Sequence, residues 1–180
     1  IGGGHVADPF LDFDGVISSS IAFQPPLVGV NVEIVLNFSL SIKVMAKETI
    51  EVELNGFFVA GHDEDGPNSE QGSVLEFGVL SEPVTCIDHP LRCTGKIMRA
   101  SWAPETQVLQ LTVARDMEKA EIVTVYVPVD VGFQVAETGI TTDLKDLKIR
   151  CNVNAGIIPP TLIQELQAIG FFLTTPELSY

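Results

Sequence analysis

The acidic stretch Gly61–Gly72, with the sequence GHDEDGPNSEQG, is the densest group of side chains that could do chemistry. Four of its residues offer hard oxygen ligands beside a turn-forming glycine: Asp63, Asp65, Asn68 and Glu70. Calcium takes about six to eight such oxygens. The spacing is not that of an EF-hand loop, because Gly66 stands at the fourth place rather than the sixth. The stretch predicts either a calcium site or a solvated hairpin tip.

The other reactive residue types do not assemble into a catalytic pattern. The three histidines, at positions 5, 62 and 89, share no metal-ligand spacing. The sequence contains no G-x-S-x-G elbow, no P-loop, no zinc pair and no GxGxxG fingerprint. We therefore expect a protein that is not an enzyme and that needs no cofactor beyond a possible calcium ion.

The three cysteines divide into a close pair and a single residue. Cys86 and Cys93 bracket the turn-forming segment IDHPLR, which a local disulfide would close at a gain of about 2–3 kcal/mol. A joined pair predicts an oxidising, extracellular setting, whereas three reduced core cysteines would suit a cytosolic protein. Cys151 lies in an Ile- and Val-rich strand and is expected to be a buried thiol or to bond outside this unit.

One N-glycosylation sequon, Asn37-Phe38-Ser39, lies in the middle of a predicted strand. Asn37 lies on the face of the strand opposite to Val32, Ile34 and Leu36. It therefore faces solvent if those three side chains face the core. The sequon predicts a glycan at Asn37.

Composition limits the classes of partner. The chain has 180 residues, 46% of them apolar, which suits one domain with a packed core. A net charge of −14 argues against nucleic acid or an anionic membrane as partner. No apolar run approaches the roughly 20 residues that span a bilayer. The first residue is Ile1, and we expect a mature product or part of a longer polypeptide.

Period-two alternation of apolar and polar residues recurs along the chain and predicts an all-β sandwich. The predicted strands are Ile17–Phe23, Val30–Val44, Thr49–Phe58, Ser73–Leu80, Gly95–Trp102, Gln107–Ala114, Glu121–Val127, Gly132–Ala136 and Leu144–Val153. Only two segments offer a helical alternative, Asp116–Ala120 and Thr161–Ile169.

The C-terminal segment repeats the first strand. With one residue inserted at Pro176 or Glu177, GFFLTTPELSY matches DGVISSSIAFQPP from Asp14 to Pro26. Both segments run bulky-apolar, two hydroxyl residues, then apolar, small and aromatic. Leu178, Ser179 and Tyr180 thereby align with Ile21, Ala22 and Phe23. The tail is therefore predicted to be the first strand of a following unit.

The order of several short motifs resembles a repeat of large secreted proteins. The motifs are ISSSIAFQPP, VNVEIVLNFSL, TIEVELNGFF, ASWAPETQVLQLTVA with Trp102, AEIVTVYVPVDVGF, NAGIIPPT and AIGFF. This order is similar to that of tandem Ig-like β-sandwich repeats in cell-surface and fibre-forming proteins of algae and other protists. The resemblance covers most of Val16–Tyr180. The Cys86–Cys93 insertion, the acidic loop and ELNGFF depart from the shared pattern.

The resemblance implies an organisation and a setting. Residues 1–15 would be an N-terminal linker, residues 16–160 an Ig-like antiparallel sandwich, and residues 161–180 an extended connector that enters the neighbouring unit. It implies an extracellular, heavily glycosylated structural protein, with Pro25, Pro26, Pro159 and Pro160 as sites of hydroxylation and O-glycosylation. The joint to an identical or homologous unit would bury Phe171, Phe172, Leu173, Leu178 and Tyr180.

Three functional classes remain in competition. A fibre-forming subunit or repeat, joined head to tail by strand exchange or tandem linkage, is favoured by the repeated strand. A carbohydrate- or ligand-binding adhesin module, calcium-dependent if the acidic stretch holds the ion, would need a solvent-facing aromatic platform. The aromatic residues Trp102, Tyr126 and Tyr180 are too few and too embedded in strands to form one. An enzyme would need a catalytic constellation, and none is found.

Overall fold

A computed structural model describes residues 15–61, 74–83, 85–86, 93–135 and 147–166. These residues form fifteen strands and one 3₁₀ turn, Val129–Val131. The strands are β1 (Val16–Gln24), β2 (Glu33–Leu40), β3 (Thr49–Leu54), β4 (Phe57–Val59), β5 (Leu75–Gly78), β6 (Leu80–Glu82), β7 (Thr85–Cys86), β8 (Cys93–Thr94), β9 (Ile97–Ala103), β10 (Val108–Val113), β11 (Ile122–Val127), β12 (Phe133–Val135), β13 (Leu147–Val153), β14 (Gly156–Leu162) and β15 (Glu165–Leu166).

Two larger sheets make up the body of the protein. Sheet 1 has the order β15-β1-β2-β11-β6, and sheet 2 has the order β14-β13-β3-β10-β9-β5. Two small sheets, β12-β4 and β7-β8, accompany them. Every strand pair is antiparallel except β1 with β15. The predicted all-β sandwich is confirmed.

The core forms where the alternation predicts it, because successive side chains of a strand point to opposite faces. In β2, Ile34, Leu36 and Phe38 are fully or almost fully buried, and the intervening residues are less so. Trp102 of β9 is fully buried and meets the ring of Phe133 edge to face at 5.0 Å between centroids. One hydrophobic cluster joins both sheets.

Three predicted strands have the wrong extent. The segment Thr49–Phe58 is two strands, because Gly56 takes a positive φ of 89° and turns the chain between β3 and β4. The segment Ser73–Leu80 is divided between the sheets, with β5 pairing in sheet 2 and β6 in sheet 1. The long strand Val30–Val44 is only Glu33–Leu40. Beyond it the Ser41 hydroxyl accepts a 2.6 Å hydrogen bond from the Gly15 N–H, and the chain crosses to sheet 2.

Neither helical alternative is present in the described residues. In Asp116–Ala120, Met117 forms an isolated β-bridge with Val44, and a turn follows it. The Glu121 carboxylate accepts a 2.8 Å hydrogen bond from the Glu118 N–H in this turn. Residues 161–162 and 165–166 lie in strands, with a bend at Gln164 between them. The remaining part of the second alternative, residues 167–169, lies outside the described residues. The described part of the chain includes no helix long and apolar enough to cross a lipid bilayer.

The predicted departure of the connector at Thr161 is wrong. Thr161 and Leu162 belong to β14 and pair with Ile149 and Lys148 of the same sandwich. The chain then changes sheet, and β15 pairs with β1. Main-chain pairing with these strands holds residues 161–166 to their own unit, so any connector begins after Leu166.

A buried serine joins the two sheets at the β6 edge. The Ser81 hydroxyl of β6 donates a 2.7 Å hydrogen bond to the Ile97 carbonyl of β9 and accepts one of 2.7 Å from the Ile97 N–H. Gly95 packs so closely on Ser81 that a β-carbon there would overlap the serine carbonyl and hydroxyl oxygens. The contact between Ser81 and β9 therefore requires a glycine at position 95.

A buried lysine fixes the turn before β11. Lys96 is 7% exposed, and its Nζ donates to the Asp116 carbonyl at 2.6 Å and to a Glu121 carboxylate oxygen at 2.9 Å. Burial alone raises the pKa of Glu121, but the Lys96 hydrogen bond and the Glu118 N–H outweigh it and hold the pKa below its usual value. The pair therefore favours the charged carboxylate.

Candidate functional site

All of the residues singled out for metal binding and assembly lie outside the described residues. This applies to Asp63, Asp65, Asn68 and Glu70, and to Phe171, Phe172, Leu173, Leu178 and Tyr180. Within the described ranges, no three His, Cys, Asp or Glu side chains are grouped so that they could hold one metal ion.

The Cys86 and Cys93 backbones lie directly opposite each other. They are register partners in the antiparallel pair β7-β8. Opposed residues of such a pair have α-carbons about 4.5–5.5 Å apart, within the roughly 4.4–6.8 Å that a disulfide spans. The backbone register thus suits the predicted bond.

Cys151 is a free thiol in the sheet 2 strand β13 and is 4% exposed. Burial raises its pKa to about 11, against the effect of a backbone hydrogen bond from Ile158. The thiolate is the reactive form, so the folded protein should protect this residue.

We expect the free-thiol count of the protein purified without reductant to rise from none in the native state to one per chain in denaturant. Cys151 supplies that one thiol, and a Cys86–Cys93 disulfide withholds the other two. Maleimide labelling with peptide mapping measures the count. Three thiols in denaturant would contradict the disulfide, and labelling of native Cys151 would contradict its protection.

Asn37 lies on the outer face of sheet 1, on the central strand β2. Its Nδ2 donates to the Ser20 hydroxyl at 3.3 Å, and its Oδ1 accepts a 2.6 Å hydrogen bond from the Thr124 hydroxyl. The side chain is half-buried between those strands. A glycan on Nδ2 would compete with the Ser20 bond and leave the Thr124 bond.

The four predicted proline sites are exposed, but they differ in setting. Pro25 and Pro26 follow β1 in a loop, as expected. Pro159 and Pro160 do not lie in a linker outside the strands: they are within β14. β14 is an edge strand of sheet 2, where a residue without an N–H is tolerated.

The register of β1 fixes the direction in which the chain passes through the sandwich. Val16 pairs with Leu40, and Gln24 pairs with Glu33. We call the end at which β1 begins the lower end and the end at which it finishes the upper end. β15 runs parallel to β1, with Leu166 beside Ile21. The chain therefore comes in at the lower end, and at Leu166 it is heading for the upper end.

The upper end carries exposed apolar side chains. It is formed by the loop after β1 and by the 3₁₀ turn that follows β11, whose last residue Val127 pairs with Ile34. The Val32 N–H donates a 2.8 Å hydrogen bond to the Phe133 carbonyl and ties the loop to β12. We define the upper apolar surface as Leu27, Val30 and Val129, which are 46%, 38% and 47% exposed.

The lower end combines apolar and charged side chains. Lys43 forms ion pairs with Glu118 at 2.8 Å and with Asp116 at 3.4 Å. These carboxylates, Glu118 foremost, raise the pKa of Lys43. We define the lower apolar surface as Ile17 and Met45, which are 46% and 47% exposed. Each end of the sandwich thus presents large apolar side chains to solvent.

The outer face of sheet 2 offers a polar surface instead. A depression of about 550 Å³ on this face is lined by residues that include Glu76, Arg99, Gln110 and Thr112. A second, of about 360 Å³, lies by Arg150 and the prolines of β14. Trp102 is fully buried and cannot serve as an aromatic platform on this face.

No family model, no curated protein and no solved structure matches this chain. The function is therefore inferred from the two ends of the sandwich and from its outer faces.

Proposed function

We propose that the chain is a structural repeat or subunit of an extracellular glycosylated fibre, in which the segment after Leu166 supplies the first strand of the next unit. The observation that carries this proposal is the place of β1. Ile21 and Phe23 are buried core residues of β1, and their counterparts in the tail are Leu178 and Tyr180. The tail thus carries the pattern of a core strand that its own sandwich already has.

The direction of the chain supports the same proposal. A unit whose chain comes in at the lower end and heads for the upper end can be joined to others in a line without reversing. Among the described residues, the outer edge of β1 pairs with β15 at Ser20 and Ile21. Eight residues of β1 pair with β2 along the inner edge, which makes displacement of β1 by a second strand unfavourable.

The extracellular setting and the glycans belong to the proposal and rest on sequence features. The facing positions of Cys86 and Cys93 favour a bond that persists in oxidising compartments. The four prolines are exposed to modifying enzymes, and Asn37 lies on the outer face of sheet 1, where a glycan would replace its bond to Ser20. Carbohydrate binding by the polar face of sheet 2 is the second candidate, favoured by the 550 Å³ depression.

The proposal is tested in a fused protein in which the tail must form the first strand of a second sandwich. In the fused protein, a second stretch of residues 24–166 follows Tyr180 directly, so that the tail stands where Ile17–Phe23 would stand. We expect two folded sandwiches, because the tail supplies the apolar side chains that Ile21 and Phe23 supply in the first unit. Amide spectra and the heat of unfolding per chain measure this.

A matched control carries Leu178→Asp and Tyr180→Ser in the same fused protein. These changes place polar groups where core side chains belong, so the second unit should stay unfolded while the first melts normally. An unmodified fused protein that resembles this control, with one folded unit, would overturn the proposal.

A further inference from the structure

We infer that consecutive units abut directly, with the upper apolar surface of one unit packed on the lower apolar surface of the next, so that the array is stiff rather than hinged. This inference rests on the proposed function, because it takes the tail as the first strand of the following unit. It assigns an interaction surface to each end of the sandwich, and the partner is a second copy of the unit.

The chain between the two units is too short to hold them apart. Leu166 lies beside Ile21, three residues short of the end of β1. In the tail alignment Phe171 stands where Gly15 stands, one residue before β1 of the following unit. Five residues span at most about 17 Å, and about 10 Å of this is needed to reach the upper end. About 7 Å remain, less than the diameter of one helix.

The side chains at the two ends fit such a contact. Leu27, Val30 and Val129 are large apolar residues that a monomer leaves 38–47% exposed. Ile17 and Met45 are comparably exposed at the opposite end, and in a following unit Leu173 of the tail takes the position of Ile17. Burying these faces against one another removes apolar surface from water, and the covalent link has already brought them together.

The upper apolar surface is also fixed by hydrogen bonds within the single unit. The loop that carries Leu27 and Val30 is fixed by the Val32 bond to Phe133 and by a 2.8 Å bond from the Gln134 side chain to the Asn31 side chain. Val129 lies in a 3₁₀ turn that ends at Gly132, whose φ of 89° suits glycine. Little conformational entropy is therefore left to lose on contact.

The test uses the fused two-unit protein and ¹⁵N relaxation, which reports the tumbling of each unit. We expect both units to share one rotational correlation time, about twofold or more longer than that of the single chain. Val129→Asp in the first unit should shorten it, because the charge is placed in the contact, and so should Met45→Asp in the second unit. Melting temperatures should change little, since both residues are exposed.

The matched controls are the same substitutions on the free ends. Val129→Asp in the second unit and Met45→Asp in the first unit face solvent in this protein, and each should leave the shared correlation time unchanged. Two folded units that tumble independently would overturn the inference and leave the proposed function standing. An unfolded second unit would overturn both.

Discussion

Gly95→Ala is expected to lower the free energy of unfolding by about 2–4 kcal/mol. The new β-carbon would overlap the carbonyl and hydroxyl oxygens of Ser81. Relief requires β6 to move away from β9, and this breaks both hydrogen bonds between the Ser81 hydroxyl and Ile97. Those groups are buried, so water does not readily replace the lost partners.

Denaturant unfolding measures the change, with Gly78→Ala as the matched control. A β-carbon at Gly78 meets only the Met98 carbonyl at 3.9 Å, an ordinary contact. Gly78 precedes the crossing from β5 to β6, and its alanine variant should stay within about 1 kcal/mol of the parent. Equal effects at both glycines would show that the Ser81 contact does not restrict position 95.

Lys96→Met is expected to lower the free energy of unfolding by about 2–4 kcal/mol. The substitution removes the partner of a carboxylate whose side chain is only 22% exposed, and it leaves the Asp116 carbonyl without its 2.6 Å donor. Lys43→Met is the control. That pair is exposed to solvent, so its loss should lower the free energy of unfolding far less than Lys96→Met does.

The effect of Lys96 should also depend on pH in a definite direction. The pKa of Glu121 is lower in the folded protein than its ordinary value of 4.5. The carboxylate therefore stabilises the fold above pH 4.5, and this contribution is lost as the pH falls through the folded pKa. The stability gap between the parent and Lys96→Met should narrow below pH 4.5. A gap that is constant with pH would contradict the role of the ion pair.

The sequence predicted what depends on periodicity. The alternation in VNVEIVLNFSL assigned the faces of β2 correctly, because burial of one face of a strand leaves a period of two in the residue types. It could not predict where β5 gives way to β6, because the crossing depends on Val79 and Ser81 meeting β9, a distant part of the chain. The burial of Lys96 was not predicted either, because its partners Asp116 and Glu121 are distant in the sequence and the adjacent residues give no sign of burial.

The two ends of the sandwich were predictable only in part. The likeness of the tail to β1 was visible as residue types, but the direction in which the chain runs at Leu166 needed the register of β15. The local sequence around Thr161 favoured a short helix, and pairing with β13 and β1 prevailed over it. Leu27, Val30 and Val129 gave one weak signal, as large apolar residues in turn segments that follow Pro25-Pro26 and Pro128.

The parallel course of β1 and β15 has a mechanical consequence. Tension along a line of units would pull β1 toward the lower end and β15 toward the upper end, along the strand axes. Such a load shears the two register pairs between β1 and β15 and the eight between β1 and β2, so the hydrogen bonds of each set are loaded together rather than one after another. In the proposed line of units, the load would therefore fall on the strand pairs of β1 in shear, the direction in which paired strands resist separation most strongly.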